Sequence, residues 1–149
     1  MQIENGIFNK HLSFRWSDLD ANFHLRHSVY YDFGAQQRLE ILNSLGLTIE
    51  IMKEQQFGPV LLREECVFRR EIRLNDSVVI TAKLAKMNAD ASRWTIQHEF
   101  LSHNDKVLAT LTVDGGWIDT RLRKFVSSTP QIVKEVFEDI PRTTSFIGT

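Results

Sequence analysis

The sequence predicts an α+β protein in which an antiparallel sheet wraps around one long central helix. Three observations point there: one long helical stretch early in the chain, a change from 3.6-residue to two-residue apolar periodicity after Gly46, and turn-forming residues at short intervals beyond it.

Residues 7–16, IFNKHLSFRW, show mixed β-type alternation and read as a first strand. The run FRWSDLDANFHLRHSVYYDFG, residues 14–34, then crowds Asp18, Asp20, Asp32, His24, His27 and several aromatics together, a mixture no ordinary strand or helix needs. From Ser28, a plausible N-cap, to Gly46, a plausible C′ residue, about 17 residues carry apolar groups at helical spacing. Tyr30, Phe33, Gln37, Ile41 and Leu45 lie near one stripe. Gly34 inside this helix costs about 1 kcal/mol relative to Ala, so close packing against another backbone is expected there.

After the helix, residues 60–72, VLLREECVFRREI, place Val60, Leu62, Glu64, Cys66, Phe68, Arg70 and Ile72 on one mainly apolar face. Turns at Asn75–Asp76, Asn88–Asp90 and His103–Asp105 separate three further strand-like runs, which predicts three successive hairpins and a meander. Trp94, Ile96, His98 and Phe100 share one face of the third strand. PQIVKEVFEDI, from Pro130, reads as a short closing helix. One domain over residues 1–149 is expected, and its unprotected strand edge and remaining sheet face predict a dimer.

Composition narrows the function. At 149 residues, 42% hydrophobic and 25% charged, the chain has ordinary globular proportions. A net charge of -1 argues against a nucleic-acid surface, which needs clustered Lys and Arg. No run of about 20 apolar residues is present to span a bilayer, and the first residues lack the apolar core of a secretory signal. Cys66 has no cysteine partner, so a reducing cytoplasm is the expected compartment.

RWSDLDANFHLRHSVYYDFGAQQRLEIL resembles the signature of hotdog-fold acyl-CoA thioesterases, the 4-hydroxybenzoyl-CoA thioesterase-like family. That family carries D-x-D-x-x-G-H-V-N-N-x-x-Y followed by a helix that often contains E-E-A-R. Asp18 and Asp20 match the acids, His24 the histidine, Leu25 the valine, Tyr30 the tyrosine and Arg38 the helical arginine. Phe23 stands where the family commonly has Gly, Arg26–His27 where it has Asn-Asn, and Ala35–Gln36 where it has an acidic pair. The resemblance extends as strand order over residues 8 to about 125, and its specific part lies within 15–42.

The resemblance implies a hotdog fold and makes Asp20 the catalytic base or nucleophile. Thioester hydrolysis also needs a carbonyl-polarising group, and the amino end of a long helix offers unpaired N–H groups with partial positive charge. By position, the amides near His27 and Ser28 would form that oxyanion hole. Phe23, His24, Tyr30 and Glu64 are the expected substrate-binding residues, with Trp16, Phe23 and Tyr30 supplying apolar area around the motif. Asp18 reads as structural, Asp32 as a solvated helix residue, and His24 as orienting a loop rather than moving a proton. Cys66 reads as an inert buried thiol rather than half of a pair with His98, and Arg69, Arg70, Arg121, Arg123 and Lys124 as a solvated basic face. His24 and His27 lack companion metal ligands.

The expectation is a cytoplasmic hydrolase releasing a carboxylic acid from an acyl-CoA or acyl-carrier-protein thioester, without metal or organic cofactor, as a homodimer or homotetramer. The alternative is a noncatalytic acyl-thioester-binding protein of the same fold. A hotdog dehydratase is the third reading, disfavoured by a motif of thioesterase type.

Overall fold

The computed structural model describes residues 5–149. Helix α1, Val29–Ser44, occupies the expected span. It ends in a Schellman motif: the Leu47 amide donates to Leu42 O at 2.8 Å and the Gly46 amide to Asn43 O at 3.2 Å. Gly46 takes φ +101°, a conformation that costs glycine no Cβ clash. Ser28 occupies the N-cap position, but its hydroxyl caps nothing; it accepts from the Arg26 guanidinium at 2.6 Å.

Among the described residues eight strands form one sheet: β1 (Asn9–His11), β2 (Phe57–Phe68), β3 (Val78–Thr81), β4 (Lys83–Met87), β5 (Arg93–Ser102), β6 (Val107–Asp119), β7 (Lys124–Phe125) and β8 (Arg142–Gly148). The hairpins β4–β5 and β5–β6 form as expected, and Trp94, Ile96, His98 and Phe100 are all buried. The first expected hairpin does not form. Strand β2 pairs with β6, while β3 pairs with β1 and β5. Residues 69–77 therefore carry the chain across the sheet rather than around a tight turn. The first strand is also shorter than residues 7–16, because after Leu12 the backbone leaves β3.

Besides the two-residue β7 and one 3-10 turn, a helix and a strand have no counterpart in the sequence pattern. Helix α2, Ile49–Gln55, starts at Thr48, whose hydroxyl accepts from the Ile51 amide, and stops at left-handed Gln56. Strand β8 pairs parallel with β4 beyond the closing helix α3, Gln131–Glu138.

The sheet grips α1 from both flanks. On one side Lys10 of β1 bonds both carboxylate oxygens of Glu40 at 2.8–2.9 Å. On the other, Tyr30 meets Phe68 of β2 edge-on, ring centroids 4.9 Å apart. Gly34 lies between, and an added Cβ would overlap the Leu111 side chain, so the close approach is to a side chain rather than a backbone.

Strand β2 contains a bulge between Leu61 and Arg63. Its side chains change face there: Phe57, Pro59 and Leu61 oppose inward positions of β6, and beyond the bulge Glu64, Cys66 and Phe68 do so. Val60 and Leu62 thus leave the expected apolar face. Among the described residues no helix is long and apolar enough to cross a membrane.

Candidate active site

The crowded run after β1 folds into a clamped hairpin at the foot of α1. A single 3-10 turn, Trp16–Asp18, comes first. Asp18 is buried, accepting from the Arg15 amide at 2.9 Å and from its guanidinium at 2.9 Å, which holds its carboxyl below the usual range. The structural reading of Asp18 stands.

Asp20 opens a tight loop. Its amide donates to His24 O at 2.8 Å, and the Phe23 amide donates to Asp20 O at 3.1 Å. The Leu25 amide donates to Ile72 O at 2.7 Å and His24 bridges to Arg73, so the crossing segment after β2 pins the loop in place. One carboxylate oxygen, Oδ1 of Asp20, accepts from the amides of Asn22 at 2.8 Å and His24 at 3.2 Å. These two donors, Asn22 first, lower the Asp20 pKa. The group is exposed and ionised at neutral pH, and no described residue bonds Oδ2.

The loop closes at Phe23 with φ +64°, the left-handed position of a turn-plus-bulge hairpin that favours glycine. The resemblance pattern has glycine at this place. Phe23 is 63% exposed and rests on Trp16, ring centroids 6.1 Å apart. Both line a separate groove with Leu74 and Asp76, so neither supplies the apolar wall expected beside Asp20.

Asp20, His24, His27 and Tyr30 do converge, on an open pocket of about 280 Å³ completed by Phe68, Arg69, Arg70 and Glu71. The His24 imidazole is tied to Glu71 at 2.8 Å, and Glu71 also receives Arg73 at 2.8 Å, so His24 braces the loop. Among the described residues no acceptor takes the backbone amides of His27 or Ser28, which open the first turn of α1 beside Asp20. Tyr30 is buried against Phe68 and Phe100, and burial pushes its phenol up to about 12. It shapes the pocket floor as a neutral ring.

Glu64 borders neither this pocket nor the apolar cavity between α1, α2 and the sheet. It reaches Arg38 across 3.7 Å, in place of the expected acyl contact. Arg121, Arg123 and Lys124 fall at the β6–β7 turn, away from the pocket.

One polar cluster escaped the sequence reading. The Arg38 guanidinium donates to His98 Nε2 at 3.0 Å, and His98 Nδ1 lies 2.9 Å from Gln37 Oε1 and 3.1 Å from Thr81 O. Gln37 Nε2 donates to Ile7 O and Ile80 O, each at 3.1 Å. An arginine only donates, so His98 accepts at Nε2 and carries its proton on Nδ1. Burial, with Arg38 nearby, pulls the imidazole down to about 3. With both ring nitrogens engaged, His98 does not activate Cys66, whose half-buried thiol is pushed up to about 11. The available signal was Gln37 and Arg38 side by side at the helix's inward positions, opposite the inward His98.

Beyond Arg38, between α1, α2 and the sheet, lies an apolar cavity of about 300 Å³ whose wall includes Leu42, Met52, Leu61, Trp94 and Phe137. Arg38 is also in that wall.

The family model described as the thioesterase-like superfamily matches residues 14–137. No curated protein matches the chain. Among solved structures, a hypothetical protein from Aquifex aeolicus shares 22% identity over 87% of this chain and 98% of its own, with TM-score 0.77. A 1,4-dihydroxy-2-naphthoyl-CoA thioesterase from Synechocystis shares 16% over 89% and 96%, with TM-score 0.78. A hypothetical protein from Staphylococcus aureus, described in complex with CoA, shares 17% over 92% and 87%, with TM-score 0.76. At these identities the likeness establishes the fold: a hotdog sheet curled around its central helix.

Proposed function

Because the chain belongs to the thioesterase-like superfamily, we propose that it hydrolyses acyl-CoA or acyl-carrier-protein thioesters, with Asp20 as base or nucleophile and the His27 and Ser28 amides as oxyanion hole. The observation that carries the reading is one pocket holding an ionised carboxylate with a free oxygen beside two unclaimed amides at the start of a 16-residue helix. The thioester carbonyl oxygen accepts from those amides, whose partial positive charge stabilises the oxyanion as it develops. Water supplies the hydroxyl that ends on the acyl carbon, and the C–S bond breaks with the sulfur leaving as thiol.

Asp20 serves either route only when ionised. A carboxylate held below its usual range is a weak base, so direct attack to an acyl-aspartyl anhydride competes well with activation of water. Arg69 and Arg70 border the pocket and supply cations for the phosphates of CoA. Phe68 and Tyr30 favour an aliphatic or aromatic acyl group over a highly charged one.

The reading includes association in pairs. Strand β2 is a sheet edge that exposes Leu61, Leu62, Val67 and Phe68 between 43% and 50%, and Phe68 is also in the pocket wall. A second copy paired along β2 would cover this edge and narrow the pocket. The lone thiol suits a reducing compartment such as the cytoplasm.

Free-thiol release from a panel of acyl-CoAs tests the activity. Asp20→Asn is expected to lower turnover by about 10²–10⁴-fold with ligand binding retained. Single turnover in H₂¹⁸O tests the direct route: water opening the anhydride at the aspartyl carbon leaves the label in Asp20 and an unlabelled acid, whereas attack of water at the acyl carbon leaves the label in the acid. Near-normal hydrolysis by Asp20→Asn removes Asp20 from the mechanism, and binding without turnover by the parent identifies the noncatalytic alternative.

A further inference from the structure

One helix serves both places: α1 starts at the Asp20 pocket, which Tyr30 lines, and its positions Ala35, Arg38 and Leu42, which share one face, line the apolar cavity. The cavity wall is apolar except for donors. Trp94 is 5% exposed and stands between the cavity and a second groove that holds Asn88, Thr95 and Asp114; its indole N–H bonds none of these and has no acceptor among the described residues. Arg38 is 8% exposed; it spends one N–H on His98, and its other amino group stands 3.7 Å from Glu64, too far for a hydrogen bond. A guanidinium carries five donors, so capacity remains. Trp117, the third polar side chain in the wall, already donates to Ala91 O at 3.1 Å. Among the described residues no carboxylate, amide or hydroxyl side chain lines this cavity to accept from these donors. A purely hydrocarbon occupant would leave them unmet, which is unfavourable in a dry site.

Resting on the acyl-thioester reading, we propose that this cavity selects acyl groups bearing an uncharged oxygen acceptor, a ketone or hydroxyl, remote from the thioester, with Trp94 and Arg38 as the specificity-determining donors. Charge favours the uncharged class. Glu64 already offsets Arg38, so a carboxylate would meet a like charge and displace an existing pair. Reach sets the position. The Arg38 guanidinium folds back one turn, with its Nη1 3.2 Å from where a Gly34 Cβ would stand. From Val29, the first residue of α1, to Gly34 the helix rises about 7.5 Å, the length of about six carbon steps of an extended chain, so the acceptor belongs some six or seven carbons from the reacting carbonyl.

Two CoA thioethers that cannot be hydrolysed, S-octyl-CoA and S-(7-oxooctyl)-CoA, test this by titration calorimetry. The oxo compound is expected to bind about tenfold more tightly or better, since a site built to hydrogen-bond a polar group rejects the analogue lacking it. In Trp94→Phe, which removes the N–H and keeps an aromatic ring, and separately in Arg38→Met, the ratio is expected to fall below about threefold. Each ratio is taken within one variant, so general damage cancels. Equal or tighter binding of the octyl compound by the parent overturns the proposal, as does an unchanged ratio in both variants. Octanoyl-CoA and 7-oxooctanoyl-CoA are assayed alongside for thiol release. Binding preference without hydrolysis overturns only the hydrolase reading, hydrolysis without preference overturns only this inference, and failure to bind either thioether overturns both.

Discussion

The Arg38 guanidinium donates to Nε2 of His98 across 3.0 Å inside the fold, and burial, with that cation beside it, decides the state of the imidazole. A proton on Nε2 would face a cation at hydrogen-bond distance with no water to screen it, so the ring stays neutral down to about pH 3.

Acid sensitivity follows from the burial of His98 beside this cation. Unfolded, His98 titrates near its ordinary 6.5; folded, it does so near 3. Between those values the unfolded chain binds a proton the folded chain refuses, so stability is full above about pH 6.5 and falls as pH drops. The expected slope is about 1.4 kcal/mol per pH unit at its steepest. Urea unfolding between pH 6.5 and 5, above the range of the carboxylates, measures it. His98→Gln, whose amide can accept from Arg38 and cannot titrate, is expected to flatten the slope.

Asp18 and Asp20 lie two residues apart and are expected to fail differently. Asp18→Asn loses buried, charge-assisted bonds to Arg15 and is expected to cost about 1–3 kcal/mol of stability. Asp20→Asn is expected to keep the melting temperature within a few degrees while thiol release falls. Melting curves and thiol assays on both proteins make the comparison; similar unfolding in both assigns Asp20 to loop structure.

At Phe23 the backbone, not the pocket, decides the outcome. Phe23→Gly and Phe23→Ala both remove the ring from Trp16, but only glycine relaxes φ +64°. Glycine is expected to be more stable than alanine by about 1 kcal/mol. The order of preferred acyl chains is expected to match the parent in both, because Phe23 borders a different groove. Chemical denaturation and the acyl-CoA panel check the two halves.

Gly34→Ala reverses the usual helix rule. Alanine is the better helix former by about 1 kcal/mol, but its methyl would overlap Leu111 in the core and press on Arg38 Nη1. A net loss of about 1–3 kcal/mol is expected from overpacking, measured by denaturant midpoint.

In sedimentation at micromolar concentration, the protein is expected to run at twice the chain mass. Val67→Lys, which places a charge on the exposed β2 edge, is expected to shift it toward the monomer. A stable, fully active parent monomer would separate activity from association.

The sequence made α1 legible because both its ends carry local signals: Ser28 marks the start, and Gly46 can take the left-handed cap that Leu and Thr cannot. Two hairpins were equally plain, since Asn88–Asp90 and His103–Asp105 interrupt alternating runs. The partner of β2 was not. Its bonds go to β6, some fifty positions away, and adjacency in the chain misled. The site was legible as a cluster, because Asp20, His24, His27 and Tyr30 lie within one short segment. Side-chain direction was not: the outward turn at Phe23 depends on a φ value that periodicity does not report. Glu64, expected at the acyl group, is held toward Arg38 by a helix whose facing depends on the whole sheet.

The extra residue in β2 gives that strand two reading frames. Up to Leu61 the odd-numbered side chains look inward; from Glu64 the even-numbered ones do. Substituting Leu62 changes one side chain. Deleting it lets Arg63 follow Leu61 directly, so the pairing with β6 runs on in one register and both sets keep their faces. The strand can lose a residue at this one place, and with it the bend, and still aim the walls of both the Asp20 pocket and the cavity.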